Sequence, residues 1–391
     1  MGLNHTRRPI RVANIIEEGR WGGPQKRISM IASALREHAV EAVILLPDRD
    51  SDRFRSELTK AGVEFKAQPL HRLGRGWKTL ASYALTFLGE VLRLRKELLR
   101  GRFQLVEVSG GAWQIKAAVA GRLARLPIVW HLNDTQLPVA MVILFRWLAR
   151  WLADGFLVTA DRVYRYYLRG TVLSRRPVFR AQAPVDTALY DPTRFEPEPE
   201  ILAHPGVRVV TVANINPVKG LETLIDAAAR LANAPERYSF IVVGPVFETQ
   251  KAYFSTLKAK VREYGLEERF HFLGGREDIP KVLRAATVFV CSSVSESGPM
   301  TVWEAMAMEC AIVSTDVGDV ASYIRSGENG FVVPVGDADA MAESIAKAAR
   351  DPELRREFGR RARDVACREL DVRMMARNTA ECYAAIASRP E

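Results

Sequence analysis

The chain has 391 residues, of which 48% are hydrophobic and 26% charged, a composition that excludes fibrous and disordered proteins. This length is enough for two domains, each with its own core. The formal charge of +10 is concentrated in residues 1–200, which hold 32 of the 56 Lys and Arg but only 20 of the 46 Asp and Glu, so we expect this half to face an anionic partner.

The first half alternates predicted strands and helices. A strand at Ile10–Ile16 leads into a Gly-rich loop that contains Gly22 and Gly23, and a helix is expected from about Lys26 to His38. Continuous apolar segments then predict four more strands, at Val40–Pro47, Gln104–Gly110, Pro127–Leu132 and Asp154–Ala160. Apolar strands separated by helices are typical of a parallel sheet that is covered on both faces.

The pattern restarts after a segment with five prolines, residues 183–206. Further strands are predicted at Val207–Ile215, Ser239–Gly244, Arg269–Gly274, Thr287–Ser293 and Ala311–Asp316. We therefore predict an α/β protein with a Rossmann-like domain at 1–188, a linker at 189–206, a second Rossmann-like domain at 207–370 and a final helix at 371–391. Doubly wound domains bind ligands at the carboxyl ends of their strands, so a cleft between the two domains is expected.

The most informative segment is SESGPMTVWEAMA, residues 295–307. We expect Gly298 to cap a helix and Pro299 to be its first residue, because a proline there loses no hydrogen bond. The free N–H groups of Met300 and Thr301 would then form an anion site suited to a phosphate. The local pattern alone is equally compatible with a capped helix that carries two surface acids.

The pair Glu296 and Glu304 resembles the E-x7-E motif of retaining glycosyltransferase family 4, whose members have the GT-B fold. Residues 311–337 and 218–231 are similar to the same family. The resemblance implies two tandem Rossmann-like doubly wound domains facing across a cleft, with the C-terminal helix crossing back to the first domain. The first domain would bind the acceptor and the second the nucleotide sugar.

The resemblance also implies roles in the second domain. Glu296 would contact the hydroxyls of the donor sugar and Glu304 the ribose, while the backbone of Gly298 and of residues 299–301 would hold the diphosphate. Lys219 would neutralise the diphosphate as the bond to the sugar breaks, a role that needs no metal. The family usually has an Arg where this chain has Asn214, so either another cation such as Arg276 replaces it or the donor site is weakened.

In the first domain, a Gly-Gly pair such as Gly22 and Gly23 is commonly a simple turn, but glycines also let backbone approach a ligand closely. The family has a Gly-Gly in this loop, facing the donor phosphate or the acceptor. His131 ends a predicted strand and matches the family's strand-end His beside the reacting sugar carbon. Without that match, a single His is more often a structural or surface residue than a catalytic one. Asp134 is a weaker candidate nearby.

The function that this resemblance implies is metal-independent transfer of a sugar, with retention, from a UDP-sugar or a GDP-sugar to an acceptor hydroxyl, with no cofactor. Two alternatives stay open. The absent Arg at Asn214 makes a catalytically silent GT-B nucleotide-binding subunit conceivable, and an epimerase acting on nucleotide sugars has the same fold. A nicotinamide dehydrogenase would need a G-x-G-x-x-G after a strand, and the sequence has none.

Two segments of the basic half, Gly76–Arg102 and Pro138–Phe156, mix Trp, Phe and Leu with Arg and Lys. Such helices either lie in the headgroup plane of an anionic membrane or pack on the sheet with solvated arginines. We favour the membrane, and with it a lipid-linked or other membrane-associated glycan acceptor. No motif of a nucleic-acid-binding module is present.

The location that we expect is cytoplasmic, peripheral on the inner face of the cytoplasmic membrane. Four scattered cysteines favour a reducing compartment over a disulfide framework. The N-terminal residues lack the pattern of a secretory signal. The longest apolar run, at 137–145, is too short to span a bilayer.

Overall fold

The computed structural model describes residues 9–73, 76–135 and 137–388. The chain divides into two units: unit 1 comprises the chain up to Pro184 and again from Val372, and unit 2 is Val185–Asp371. The segment 189–206, for which the sequence predicts a linker, lies within unit 2 and includes a short helix. Residues 1–8, where we expect no secretory signal, lie outside the described residues.

Unit 1 is built on a parallel sheet of seven strands, counted over the described residues, in the order β3-β2-β1-β4-β5-β6-β7. Its strands are β1 (Ile10–Ile16), β2 (Val40–Pro47), β3 (Phe65–Gln68), β4 (Leu105–Ser109), β5 (Ile128–Leu132), β6 (Gly155–Val158) and β7 (Val178–Arg180). Its helices before the crossover to unit 2 are α1 (Gly23–Ala34), α2 (Asp52–Lys60), α3 (Trp77–Arg100), α4 (Ile115–Leu123), α5 (Val139–Leu152) and α6 (Asp161–Tyr167).

Helices cover both faces of this sheet because both faces are apolar. In β1, Ala13 and Ile15 belong to one buried cluster, whereas Val12 and Ile16 belong to another. Successive side chains of a strand point to opposite faces, so a continuous apolar strand has to be covered on both sides. The helix predicted from Lys26 to His38 begins earlier, at Gly23, and its last turn, Leu35–His38, is a 3-10 helix.

Unit 2 contains a second parallel sheet, of six strands in the described part of the chain, in the order β10-β9-β8-β11-β12-β13. The strands are β8 (Val207–Val212), β9 (Tyr238–Val243), β10 (Phe270–Gly274), β11 (Val288–Cys291), β12 (Ile312–Thr315) and β13 (Phe331–Val333). The helices are α7 (Pro199–Leu202), α8 (Leu221–Arg230), α9 (Lys251–Glu263), α10 (Ile279–Ala285), α11 (Met300–Ala307), α12 (Val320–Tyr323), α13 (Ala338–Arg350) and α14 (Pro352–Val365).

The C-terminal helix, α15 (Val372–Ala387), belongs to unit 1, so the prediction that it returns to the first domain is confirmed. Its buried side chains, among them Met375, Tyr383 and Ile386, join the apolar cluster beside β1. A Cβ added at Gly155 in β6 would overlap Ile386, so the glycine makes room for this helix on the sheet. Burial of this apolar face fixes the helix to unit 1.

The strand order predicts where each unit binds a ligand. In a doubly wound sheet, ligands bind at the carboxyl ends of the strands where the order reverses direction. In unit 2 this point lies between β8 and β11, and in unit 1 between β1 and β4. We therefore expect the functional residues of each unit in the loops after these four strands.

Candidate active site

The loop after β8 positions Lys219. It contains a short 3-10 turn, Pro217–Lys219, in which the side chain of Asn216 accepts a backbone hydrogen bond (3.0 Å). Gly220 closes the turn with φ +58°, and a Cβ there would overlap the carbonyl oxygen of Ser292 in the loop after β11. A glycine at this position therefore lets the two loops approach each other closely.

The two loops meet in an ion pair. Lys219 Nζ lies 2.6 Å from Glu296 Oε1, and the hydroxyl of Ser293 donates a second hydrogen bond to that oxygen (2.9 Å). Ser292 Oγ donates to the carbonyl oxygen of Lys219 (2.9 Å) and holds the turn. The side chains of Lys219 and Glu296 are 27% and 17% exposed, so both can reach a ligand.

Helix α11 begins one residue later than predicted. Pro299 is its N-cap and Met300 its first residue, so the prediction of Gly298 as the cap and Pro299 as the first helical residue is wrong by one position. Pro299 has a ψ of 85°, outside the helical range, which explains the shift. The N–H groups of Met300 and Thr301 still lie in the first turn, where an α-helix offers no internal acceptor.

Glu304 lies in the second turn of α11 and is 3% exposed. Its carboxylate accepts a hydrogen bond from the hydroxyl of Tyr190, and burial together with this carboxylate raises the pKa of Tyr190. The sequence prediction missed Tyr190. The available signal was only its place at the start of the predicted linker, where its backbone N–H donates to the carbonyl oxygen of Asp186 (2.8 Å).

Asn214 is half-buried in the loop directly after β8, at the edge where the predicted donor site lies. Arg276, the predicted replacement cation, pairs instead with three carboxylates. It contacts Glu198 (3.3 Å), Asp278 (2.7 Å) and Glu200. Its charge is therefore already balanced within unit 2, so the idea that it replaces the family Arg is not supported.

In unit 1, Gly22 is the N-cap of α1 and Gly23 its first residue. Neither glycine has a positive φ. A Cβ at Gly23 would meet nothing within 4 Å, and one at Gly22 would have only ordinary contacts, the nearest at 3.5 Å to Gln25. Neither packing nor a positive φ requires glycine at these two positions, and the close approach of a ligand to them stays a prediction.

His131 is the fourth residue of β5 and is 2% exposed. Its Nδ1 atom lies 3.2 Å from Nη1 of Arg27 in α1 and 3.9 Å from Glu107 in β4. Burial and the charge of Arg27 lower the pKa of His131 well below its usual value. The nearby Asp134 accepts a hydrogen bond from Tyr167 (3.4 Å). No pattern in the sequence predicts that Arg27 lies beside His131.

A cavity of about 170 Å³ lies beside the carboxyl ends of β1 and β2 and the start of α3. Its polar lining includes Glu17, Glu18, Asp50, Arg72, Thr79 and Ser82. Burial raises the pKa of Glu17 to about 8, although Lys116 acts in the opposite direction. The sequence prediction did not identify this cavity, because its walls come from segments up to 65 residues apart.

Two family models match the chain. One, described as glycosyl transferases group 1, matches residues 194–365, and one described as a glycosyl transferase 4-like domain matches residues 22–178. The matched regions lie in unit 2 and in unit 1, respectively.

Curated relatives agree with the family models. The chain is 33% identical over 212 residues to the lipopolysaccharide core biosynthesis mannosyltransferase LpcC of Rhizobium leguminosarum bv. viciae, covering 54% of this chain and 58% of the relative. It is 30% identical over 220 residues to alpha-maltose-1-phosphate synthase of Mycolicibacterium smegmatis (strain ATCC 700084 / mc(2)155), covering 52% of this chain and 56% of the relative. The chain thus spans little more than half the length of these relatives.

Among solved structures, Anabaena Alr3699/HepE in complex with UDP is similar with a TM-score of 0.81 and 21% identity, over 96% of this chain and 100% of that one. At this identity the similarity concerns the fold. This likeness and the two parallel sheets show the GT-B fold. The two family models and the curated relatives show that the chain belongs to the family 4 type of glycosyltransferases.

Proposed function

We propose that the protein transfers a sugar from a nucleotide-sugar donor to an acceptor hydroxyl with retention at the anomeric carbon. The observation that carries this proposal is the pairing of Lys219 with Glu296 (2.6 Å) between the loops after β8 and β11. These loops flank the point where the strand order of unit 2 reverses, and α11 starts directly after the second of them. One cation, one carboxylate and a helix N-terminus suit a sugar diphosphate.

In the proposed reaction, the bond between the anomeric carbon and the diphosphate oxygen breaks while the acceptor oxygen attacks from the same face. Lys219 and the first N–H groups of α11 stabilise the negative charge that develops on the leaving diphosphate. Glu296 holds hydroxyls of the donor sugar, and Glu304, oriented by Tyr190, holds the ribose. The leaving phosphate oxygen takes the proton of the acceptor hydroxyl, so the step requires no metal.

For the donor we propose a UDP-sugar or a GDP-sugar. The structures of HepE with UDP and with UDP-glucose support a nucleotide sugar as the donor class, since that protein shares the fold. Asn214 leaves the diphosphate with one cation fewer than the family pattern provides, which favours weak binding. Because this cation is absent, a catalytically silent nucleotide-binding subunit is the second candidate function.

For the acceptor we propose a membrane-associated glycan of envelope or exopolysaccharide synthesis. The relative LpcC acts in lipopolysaccharide core biosynthesis, and unit 1 exposes apolar side chains on two helices. On α3, Trp77 and Leu85 are 75% and 86% exposed, and on α5, Trp147 and Trp151 are 62% and 64% exposed. No helix in the described part of the chain is both long enough and apolar enough to cross a bilayer.

Positive charge accompanies these apolar faces, which supports binding to the anionic inner face of a cytoplasmic membrane. On α3, Arg93, Lys96 and Arg100 are exposed beside the apolar stripe. On α5, Arg150 is exposed, whereas Arg146 donates to backbone carbonyls of α6 and is not available to lipid. Exposed basic and aromatic side chains on one helix surface are attracted to anionic headgroups and insert their apolar part.

We further propose that the cavity beside β1, β2 and α3 receives the sugar end of the acceptor. Its lining mixes acidic, basic and hydroxyl groups, among them Glu18, Arg72 and Thr79. Such a mixture suits a neutral polyhydroxyl ligand better than an anion. The cavity includes the first turns of α3, so an acceptor bound there would have its lipid beside the exposed apolar face of the same helix.

The test is donor hydrolysis and transfer with a panel of UDP- and GDP-sugars, in the presence of a chelator. We expect one donor to be turned over, and Glu296→Gln to reduce kcat at least a hundredfold. Glu263→Gln, an exposed carboxylate on α9, is the matched control and should behave as wild type. Binding of a nucleotide without turnover of any donor would favour the silent subunit instead.

A further inference from the structure

A group of buried polar side chains lies under the carboxyl edge of the sheet of unit 1. Glu107 is its centre: it accepts hydrogen bonds from Asn14 (2.6 Å) and from the hydroxyl of Tyr383 on α15, and it lies 3.9 Å from both Arg27 and His131. We call these five residues the Glu107 cluster. Each of the five is at most 5% exposed.

The contact between Arg27 and His131 fixes the position of a proton. Arg27 Nη1 lies 3.2 Å from His131 Nδ1, and a guanidinium can donate a hydrogen bond but not accept one. Nδ1 must therefore be the acceptor and carry no proton. A neutral imidazole then has its single proton on Nε2. We assign this tautomer from the pattern of donors and acceptors.

The charges around His131 favour the neutral form over the cation. Burial and the positive charge of Arg27 both disfavour protonation. On the other elements that pack here, the facing groups are Glu107 on β4 and, beyond it, Cys382 and Tyr383 on α15. The carboxylate of Glu107 is already engaged by Asn14, by Tyr383 and by the hydroxyl of Ser109 (3.1 Å).

We propose that Arg27 is a positioning residue that holds His131 as a neutral imidazole with its proton on Nε2, so that His131 acts on the substrate as a hydrogen-bond donor and never as a base. With Nδ1 occupied by Arg27 and Nε2 protonated, the ring has no free lone pair for accepting a proton.

Within the described residues, Nε2 of His131 is buried and has no hydrogen-bond partner. Buried donors without partners are rare, and each calls for an explanation. Resting here on the proposed function, we assign the missing partner to an uncharged oxygen of the substrate, a sugar hydroxyl. The acceptor proton must then leave through the donor phosphate, because His131 cannot take it.

The direct test is nitrogen NMR of the ligand-free wild-type protein with labelled histidine. The chain has six histidines, and the signals of His131 are those lost in His131→Asn. We expect the nitrogen shifts of a neutral imidazole protonated at Nε2, unchanged from pH 5.5 to 8. A proton on Nδ1, or titration with a midpoint near the ordinary histidine value, would overturn the proposal.

Variants test whether Arg27 is the cause. Arg27→Met should abolish the fixed tautomer, giving a mixture of the two tautomers or a titrating ring, and should lower kcat at least tenfold with a smaller change in KM for the donor. Arg27→Lys, which restores a buried cationic donor, should recover the Nε2–H signal at least in part. Tyr383→Phe removes a neighbour of Glu107 without touching His131 and should leave the tautomer unchanged. If Arg27→Met does not fold, the proposal is tested by the wild-type spectrum and by the Nε2–H signal of Arg27→Lys, and absence of that signal from both would overturn it.

The two proposals fail separately. The NMR measurement needs neither donor nor acceptor, so a correct tautomer in a protein without transferase activity would count against the proposed function alone. An active transferase whose His131 titrates normally, or whose tautomer survives Arg27→Met, would refute the role of Arg27 and leave the proposed function standing.

Discussion

Lys219 supplies the positive charge at the proposed donor site, and it is already paired with Glu296 at 2.6 Å. A bound diphosphate must share this ammonium group with the carboxylate. Asn214 lies in the same loop, where the family pattern has an Arg, and Arg276 is held by three other carboxylates. The balance of charge around Lys219 therefore limits how tightly a diphosphate can bind.

We predict that Asn214→Arg tightens the binding of UDP or GDP about tenfold, or about 1.4 kcal/mol, because it adds the second cation. Isothermal titration calorimetry at low and high salt measures this, and the gain should shrink at high salt. Asn214→Gln, which adds length without charge, should bind as wild type. An unchanged Kd in a folded Asn214→Arg protein would mean that the diphosphate does not lie beside this loop.

Glu17 gives a pH dependence of stability whose sign follows from its environment. Burial raises its pKa from the ordinary glutamate value of 4.5 to about 8 in the folded state. Between these two values the folded state keeps a proton that the unfolded state has lost, so stability falls as the pH rises through this window. Above pH 8 both states are ionised and the loss is complete.

We predict that Glu17→Gln removes this loss, so that its Tm relative to wild type rises by several degrees between pH 5 and pH 8.5. Thermal unfolding across this range measures it. Glu18→Gln is the matched control: burial opposes ionisation of Glu18, but hydrogen bonds from Arg20 and Arg72 outweigh it and lower its pKa. That substitution should therefore destabilise the protein at neutral pH. If the two substitutions shifted Tm alike with pH, Glu17 would not be protonated.

At the level of elements, the turn before α8 determines where Lys219 lies. Gly220 combines a positive φ with a position where a Cβ would overlap Ser292. Gly265 has a similar φ of +63° after α9, but a Cβ there would meet nothing within 4 Å. Substitutions at the two glycines can therefore be compared to separate the effect of backbone strain from the effect of steric overlap.

We predict that Gly220→Ala destabilises the protein by about 2 kcal/mol or more and also weakens donor binding, since the overlap pushes the Lys219 turn away from β11. Gly265→Ala should cost about 1 kcal/mol through its φ alone and leave donor binding unchanged. Denaturant unfolding and nucleotide titration of both variants test this. Equal costs for both, with intact binding, would show that the close approach at Gly220 does not matter.

At the scale of the whole molecule, the positive charge and the exposed apolar side chains coincide in unit 1. Exposed Trp147 and Trp151 lie on one stripe of α5, four residues apart, and α3 adds Leu85, Leu88 and Leu92 beside its exposed cations. Exposed apolar side chains that are accompanied by charge in this way are typical of an interaction site. An anionic bilayer fits both features.

We predict that the protein sediments with vesicles of phosphatidylcholine and phosphatidylglycerol, less so at high salt, and poorly with phosphatidylcholine alone. Replacing Trp147 and Trp151 by Gln should reduce binding at least tenfold, because the inserted apolar part is lost. Tyr264→Gln, an exposed aromatic on unit 2, is the control and should bind as wild type. Equal binding to neutral vesicles would refute the electrostatic part.

The sequence predicts much of the fold, because its signals are local. Apolar strands such as Val40–Pro47 are continuous, and the structure has β2 with those bounds. Proline and glycine punctuate the loops, and the Glu296–Glu304 spacing is a motif within one segment. Even so, the start of α11 differs by one residue from the prediction, since the ψ of Pro299 depends on its surroundings.

By itself, then, the sequence determined the alternation of strands and helices, the family resemblance and the basic character of the first half. Tertiary structure alone decided which side chains meet: Lys219 with Glu296 across 77 residues, Arg27 with His131 across 104, and Tyr383 with Glu107 across 276. Periodicity and caps act over a few residues, whereas these contacts depend on strand order and on burial. The charge states of Glu17 and His131 follow from that burial, and so could only be assigned once the chain was folded.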